Sequence, residues 1–465
     1  MYSTQWSLDY PERQYIDLNA LVFFLKFAVV TLPDGDFVQQ IDYSNKYVIT
    51  KTGKQFSYQR LCLCHGARPK VIGSGVNPFV IGIRDTESVA TFQAKLEKAK
   101  RICVVGNGGI ATELVYELQA VDIVWAIQDD SISATFVDAG AGEFFISGFN
   151  EKGQEKEDQI PVKRFKYTVT SSGSRYTTEE GPILGGALGP DWHNKIQTKG
   201  IADGGLKRLH VEYECEVKRI LTPAEKLEQN QRCSIESLEH IVKFDKEFEE
   251  KEWNIYIELN NGKIFGCDFV VSATGVIPNG DMIQLIDDNQ AAYFQLSEDK
   301  AIEVNEQMET NITDIYAAGD VCSPKWDHAK HWFQMRLWTQ ARQMGMFAAQ
   351  CMQTSFASER TEKKDLDFCF ELFAHATKLF GYKLILLGLF NGQKDLDYEV
   401  LLRVTKGKEY IKCVMSKDGR MQGAILIGET DLEETFENLI LNQMDLTDYG
   451  VDLLDPNIDI EDYFD

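Results

Sequence analysis

The sequence predicts an α/β chain in which one Rossmann-type domain is inserted into another, with a C-terminal α+β domain behind them. Three observations carry this. At 465 residues, and about 150 residues per domain, the chain has room for three domains. A glycine motif, Gly106-Asn107-Gly108-Gly109-Ile110-Ala111, lies between an apolar strand and an amphipathic helix. Two segments of the form strand–small–Gly–x–x–Pro, at 63–69 and 271–278, bracket that motif.

Composition narrows the class. Hydrophobic residues make up 44% and charged residues 26%, which excludes a wholly disordered chain. Acidic residues outnumber basic ones 72 to 48, giving a net charge of −24. Such a surface repels phosphate backbones, so neither nucleic acid nor an anionic membrane is expected as a partner. The ten cysteines include no C-x-x-C, so neither a zinc ribbon nor a local dithiol centre is expected. No metal site is read from the sequence. Cys103 and Cys267 fall in apolar runs, where a buried reduced thiol fits an intracellular protein.

The elements follow in order. Residues 18–32 are apolar but short and interrupted by Lys26; a spanning helix needs about 20 apolar residues, so no membrane span is assigned. Acidic residues surround Arg13, unlike a secretory leader, and the stretch reads as a buried strand or an ill-defined leader. Strands at 47–50 and 55–58 flank a turn at 51–54. A short strand at 61–64 ends at Gly66; Cys62 and Cys64, two apart, face one side and read as two core thiols. Residues 85–99 form an amphipathic helix. A buried strand at 102–105, a helix with Ile110, Leu114 and Leu118 on one face, and a strand at 121–127 give a βαβ unit. Polar stretches at 151–205 and 223–252 read as surface excursions, with one strand between them at 210–220. Residues 256–275 read as a hairpin and a buried strand, and 313–320 as a strand ending in Gly-Asp. A long helix is expected at 332–352, with Met335, Trp338, Ala341, Gly345 and Ala348 on one face. From 368 onward strands lead to a final helix. The tail, 445–465, holds eight acids and no Lys or Arg.

The βαβ context gives the glycine motif its meaning. Gly106 permits the tight turn, Gly108 lets backbone approach a pyrophosphate, and Ala111 allows close helix–strand packing. The helix that opens at Gly109 and Ile110 then offers free N–H donors to phosphate. Where an acid would accept the ribose hydroxyls stands Gln128, followed by Asp129 and Asp130, with no Lys or Arg for a 2′-phosphate. Of NADH and NADPH, NADH is favoured. The crossing segments at Gly66 and Gly275, with the Gly319-Asp320 turn as a third part, have the order of a flavoprotein with two dinucleotide-binding domains. In it Asp320 accepts from the ribityl chain of FAD, and the helix from 332 aims its positive end at the flavin. His65, His193, His328 and His331 read as structural or exposed, Trp332, Trp338 and Tyr316 as core, and no catalytic acid, base or nucleophile stands out.

On these motifs, and on the stretches RLCLCHGARPK, GNGGIATELVYEL, GCDFVVSATG, DIYAAGD, RLWTQARQMG and GAILIGETDLEETFENLILNQMDL with the closing LLDPNIDIEDYFD, the chain resembles the class-I pyridine nucleotide-disulfide oxidoreductases. The resemblance covers about residues 41–465. It implies an FAD-dependent, NAD(P)H-oxidising enzyme of the cytoplasm and nucleus, muscle sarcomere included, linked to oxidative-stress defence. Its fold would place the FAD domain at 1–92 and 277–360, the NAD(P)H Rossmann domain at 93–276, and an α+β domain at 361–465. That last domain, with its acidic tail, is the expected surface for a homodimer or a protein partner; the electron acceptor is not named by the sequence. Two departures qualify it. The chain lacks a vicinal cysteine pair, so electrons would travel by flavin alone. Residues 1–40 also lack the opening strand–GxGxxG–helix that holds the FAD pyrophosphate, with Gly35 their only glycine, so weak FAD binding is expected. The competing reading is a non-enzymatic NAD(P)H-binding interaction protein.

Overall fold

In the computed structural model the residues described are 36–73, 77–149, 163–169, 200, 208–228, 252–287, 290–357, 363–393 and 397–457. Residues 18–32 and His193, and most of the 1–40 stretch that would carry an opening motif, therefore lie outside the described residues.

The βαβ unit sits in a five-stranded sheet ordered Arg208–Glu212, Asp122–Ala126, Arg101–Val105, Phe269–Ser272, Val80–Ile81. All four pairings are parallel. Every residue of the three central strands is buried, the pattern of parallel strands covered on both faces. On one face lie the helices Thr86–Leu96 and Gly109–Glu117, which bury Phe92, Leu96, Leu114 and Val115. Asp85 caps the first of these helices by accepting from Ser88 N, and Ser88 Oγ closes the reciprocal bond. The other face meets a three-stranded antiparallel sheet of Val217–Leu221, Ile255–Leu259 and Ile264–Cys267. The strand expected at 210–220 is thus two strands in two sheets. Glu214 breaks it, at φ 49°, where its N–H turns to the Asp129 carbonyl.

The host domain contains a second five-stranded sheet, Gln290–Ala292, Gln284–Asp287, Val38–Asp42, Tyr47–Thr50 and Gln55–Ser57, with the hairpin at its end as expected. Leu61–Leu63 pairs in parallel with Ile315–Ala317. The two crossing segments lie side by side: Ala67–Pro69 pairs antiparallel with Val276–Pro278. The chain leaves the host domain and re-enters it at one place.

The long helix runs over Trp338–Ala357, six residues later than its expected start at 332. Gln340 explains the delay. Its Oε1 accepts from Met335 N at 2.7 Å and its Nε2 donates to Phe333 O at 2.8 Å. The loop before the helix is satisfied by a side chain instead of by another helical turn. Trp332, Met335 and Leu337 are buried within it.

The C-terminal domain is a six-stranded antiparallel sheet ordered Ala374–Leu379, Tyr382–Gly388, Met421–Ile427, Glu409–Ser416, Tyr398–Thr405, Lys163–Val169. Its outer strand comes from the stretch read as a polar excursion, so part of that stretch is sheet. Helix Glu433–Asn442 covers the sheet through Phe436, Leu439 and Ile440. A core shared with the inserted domain joins the two: Phe145 and Tyr116 meet Phe380, and Asp138 takes Lys412 at 2.6 Å and the Tyr410 hydroxyl at 2.9 Å.

The start of the acidic tail belongs to this domain. Leu453 and Leu454 are buried in the core of this domain, where Arg403 Nη1 donates to Leu454 O at 3.2 Å. Ile458, Ile460 and Phe464 lie outside the described residues. Among the described residues no helix is long and apolar enough to cross a membrane, and no group of three His, Cys, Asp or Glu is placed to hold a metal ion.

Two stability outcomes follow. Leu454→Ala should cost about 2–5 kcal/mol in urea unfolding of the C-terminal domain, whereas Ala at the exposed Val451 should change little. His375 is buried against Phe136, with Nδ1 bonded to Thr339 Oγ1 at 3.1 Å, and burial pulls it down to about 4. Below its unfolded value of 6.5 the unfolded chain binds a proton that the native state excludes. Stability should therefore fall between pH 6.5 and about 4, by about 1.4 kcal/mol per pH unit at most. His375→Gln should flatten that part of the urea-stability profile.

Candidate cofactor site

The glycine motif divides its work by position. Gly106 stands at φ 122°, and a Cβ there would lie 2.2 Å from the Ala273 carbonyl oxygen. Only glycine lets strands Arg101–Val105 and Phe269–Ser272 converge so tightly at their C-terminal ends. Trp125 Nε1 fixes the turn by donating to Gly106 O at 2.7 Å. Gly108 is different: it is extended, it caps helix Gly109–Glu117 without a side-chain bond, and a Cβ on it would meet nothing within 4 Å. The first-turn N–H groups at Gly109 and Ile110 thus stand behind an open face, which fits an anion such as a pyrophosphate. Ala111 is fully buried, as close helix–strand packing requires.

Asn107 has a role that its place in the motif does not announce. Its Nδ2 donates to Asp129 Oδ2 at 2.7 Å and to Ser131 O at 2.8 Å, while its Oδ1 accepts from Ser133 N at 2.7 Å. One buried side chain therefore holds the loop that follows strand Asp122–Ala126. Gln128 and Asp130 are exposed on that loop, with Asp129 half-buried between them.

The second half of the site surrounds the Gly319-Asp320 turn. Gly66, Gly275 and Gly319 have φ of 65°, 105° and 78°, the left-handed region that glycine enters at no steric cost. A Cβ on Gly319 would press on the Ala341 side chain at 3.3 Å, so helix Trp338–Ala357 packs on the turn despite its later start. Asp320 is buried and ion-paired through Oδ2 to Arg84 Nη2. Its backbone carbonyl accepts from Arg336 Nε at 3.2 Å. Oδ1 accepts no hydrogen bond from a described residue, which suits a ligand hydroxyl such as one on a ribityl chain. Arg84 also donates from Nε to Ala67 O at 3.1 Å, joining the Gly-Asp turn to the crossing segment.

Arg84 and Arg336 were missed by sequence reasoning. Each is a single arginine beside a helix start, with no motif to mark it. The histidines hold structure together: His65 Nε2 contacts Asn279 O at 3.0 Å across the two crossings, and buried His331 contacts Gln422 Oε1 at 3.1 Å. His328 lies edge-on to Trp332. Trp332 and Tyr316 are core residues, while Trp338 is half-buried. The expectation of two core thiols is corrected. Cys64 is exposed and Cys62 half-buried, with their sulfurs 3.5 Å apart, because the strand stops at Leu63 and the chain turns outward toward Gly66.

The chain resembles known proteins over most of its length. The family model described as pyridine nucleotide-disulphide oxidoreductase matches residues 11–153 and 217–345, and that of the rubredoxin NAD+ reductase C-terminal domain matches 374–444. The chain is 50% identical over 432 residues to pyridine nucleotide-disulfide oxidoreductase domain-containing protein 1 of Mus musculus, spanning 92% of this chain and 83% of that one. Its counterpart in Danio rerio is 51% identical over 417 residues, 90% of this chain and 80% of that one. Among solved structures, the covalent putidaredoxin reductase–putidaredoxin complex shares the fold, with a TM-score of 0.60 at 14% identity over 92% of this chain and 80% of that one.

The two glycines should respond differently to substitution. Gly108→Val should fold normally yet lose at least about tenfold in NADH affinity by calorimetry, since its side chain fills the open face. Gly106→Val should fold poorly, because the added Cβ meets backbone at 2.2 Å. Unchanged NADH affinity in a folded Gly108→Val protein would remove the phosphate assignment.

Proposed function

The chain belongs to the pyridine nucleotide-disulphide oxidoreductase family and is an NAD(P)H-dependent flavoprotein oxidoreductase; from that premise we propose that it is an NADH-preferring reductase that passes electrons from its flavin to a separate acceptor. The observation that carries this reading is the open, uncapped helix start behind Gly108, linked through the paired crossings to the Gly319-Asp320 turn. Bound FAD supplies the two-electron chemistry between a hydride donor and the acceptor. The residues themselves bind and orient. Backbone N–H groups at Gly109 and Ile110 would take the nicotinamide dinucleotide's pyrophosphate, and Asn107 holds the ribose loop in place. Asp320, aimed by its ion pair with Arg84, would accept from the ribityl chain.

The preference for NADH rests on Gln128, Asp129 and Asp130. Two carboxylates, with no Lys or Arg within the stretch 128–130, would repel a 2′-phosphate and accept a hydroxyl. The acceptor, a place in the cytoplasm and nucleus, and a part in oxidative-stress defence belong to the same proposal and rest on the resemblance read in the sequence. The relative solved as a complex with putidaredoxin supports a protein acceptor. The net charge of −24 disfavours a strongly acidic one.

Steady-state reduction of an artificial acceptor tests this reading. NADH should exceed NADPH in kcat/KM by about tenfold or more, about 1.4 kcal/mol, and Asp130→Arg should narrow that ratio. Equal use of the two nucleotides, unmoved by Asp130→Arg, would overturn the preference. No reduction with either would favour a non-enzymatic dinucleotide-binding protein.

A further inference from the structure

The parallel strands Leu61–Leu63 and Ile315–Ala317 lead toward the Gly66 and Gly319 turns; at their opposite ends lies a cavity of about 270 Å³. That is below the roughly 300–1,000 Å³ of a drug-sized ligand site, so it suits a small metabolite and not a dinucleotide. Arg60 and Asp314, which precede the two strands, line it and pair at 3.0 Å. Arg60 also donates from Nε to Ser355 Oγ at 3.1 Å and from Nη2 to Ser355 O at 3.5 Å. It thereby answers the negative end of helix Trp338–Ala357. Asp314 takes Lys46 as a second cation. These charges are committed to the fold. Three others are not. Lys363, exposed, and Lys364, half-buried, line the same cavity without an ion-pair partner among the described residues. Glu309 lines it too, and its Oε2 accepts only a neutral donor, Asn305 Nδ2, at 2.9 Å. Cys351, on the inner wall, is pushed up to about 12 by burial, with Lys364 opposing and Glu309 adding to the shift. Cation and carboxylate therefore both act at that wall.

We propose that this cavity binds a small phosphorylated polyol, its phosphate held by Lys363 and Lys364 and a hydroxyl donating to Glu309. Each half of the ligand follows from a charge the fold leaves unused. Two adjacent uncommitted lysines form a locally positive spot on a chain of net charge −24, and ammonium groups bind phosphate as point charges. Lysines alone would take any anion. A free carboxylate beside them repels a bare dianion and accepts a hydroxyl, which selects an anion that carries one. Thr313, also in the lining and exposed, adds a hydroxyl bonded to no described residue. The site stands at the far end of the strands from the Gly319-Asp320 turn, so it goes beyond the reductase reading and does not depend on it.

Glycerol 3-phosphate is the probe; inorganic phosphate supplies its head alone and glycerol its tail alone. The full chain is briefly acetylated at lysine in rising concentrations of each, and the sites are read by mass spectrometry. Sodium chloride at matched ionic strength controls for screening. Labelling of Lys363 and Lys364 should slow about tenfold when glycerol 3-phosphate stands at about ten times its Kd, because only the empty fraction reacts. The exposed Lys98 should label at an unchanged rate. Inorganic phosphate should need at least about tenfold more for the same protection, and glycerol should protect neither lysine. Glu309→Gln should erase the difference between the two phosphates, and Lys363→Gln should weaken protection at Lys364. The readout is local, so a phosphate bound at the Gly108 helix start leaves it unmoved. No slowing beyond that in sodium chloride, or equal protection by inorganic phosphate and glycerol 3-phosphate, would overturn the proposal. The unsubstituted protein decides both, so a misfolded variant cannot obscure the result.

Discussion

Everything in this fold depends on two chain crossings lying side by side. Ala67–Pro69 and Val276–Pro278 pair antiparallel, so the inserted domain is held at one joint. The joint is stiffened by polar contacts. Arg68 pairs with Asp281 at 2.9 Å and, with Lys300, holds that carboxyl at about 2. Asn279 Nδ2 donates to His65 O at 2.9 Å while its own carbonyl meets the His65 ring. A donor held on the inserted domain can react with a group held on the host domain only if the two stay in one geometry, and ordered positioning is the main thing such an enzyme contributes.

The buried Arg84–Asp320 pair extends the same constraint. Arg84 comes from the loop just before helix Thr86–Leu96, yet it reaches the host domain's Gly-Asp turn and the crossing strand together. A buried arginine is costly unless its donors are satisfied, and here the cost is offset by contacts that join two domains. The C-terminal sheet closes the arrangement by packing on the inserted domain through Phe380 and Lys412. The inserted domain thus has a packed neighbour as well as a joint.

Much of this was legible in the sequence, for reasons that are local. The unbroken apolar runs at 102–105 and 269–272 announce strands buried on both faces, and the glycine spacing announces the turn between strand and helix. Gly66, Gly275 and Gly319 could be read because positive φ leaves a signature in residue choice. What could not be read depends on long-range contact. Nothing near Gln340 says that its side chain replaces the helical turns expected over 332–337. Nothing near Lys163 says that its strand crosses to pair with Tyr398–Thr405. Asn107 looked like part of a phosphate cradle, yet its side chain bonds to the loop after strand Asp122–Ala126. Cys62 and Cys64 looked like core because a strand was expected to continue through them; it ends one residue sooner.

The proposed reaction requires one chain to hold both the hydride donor and the flavin. Anaerobic titration of the purified protein with NADH, followed in the visible flavin band without any acceptor, tests it most directly. The band should bleach with about one NADH per bound flavin and return when air is admitted. A flavin band untouched by NADH, in protein that binds NADH normally, would contradict it.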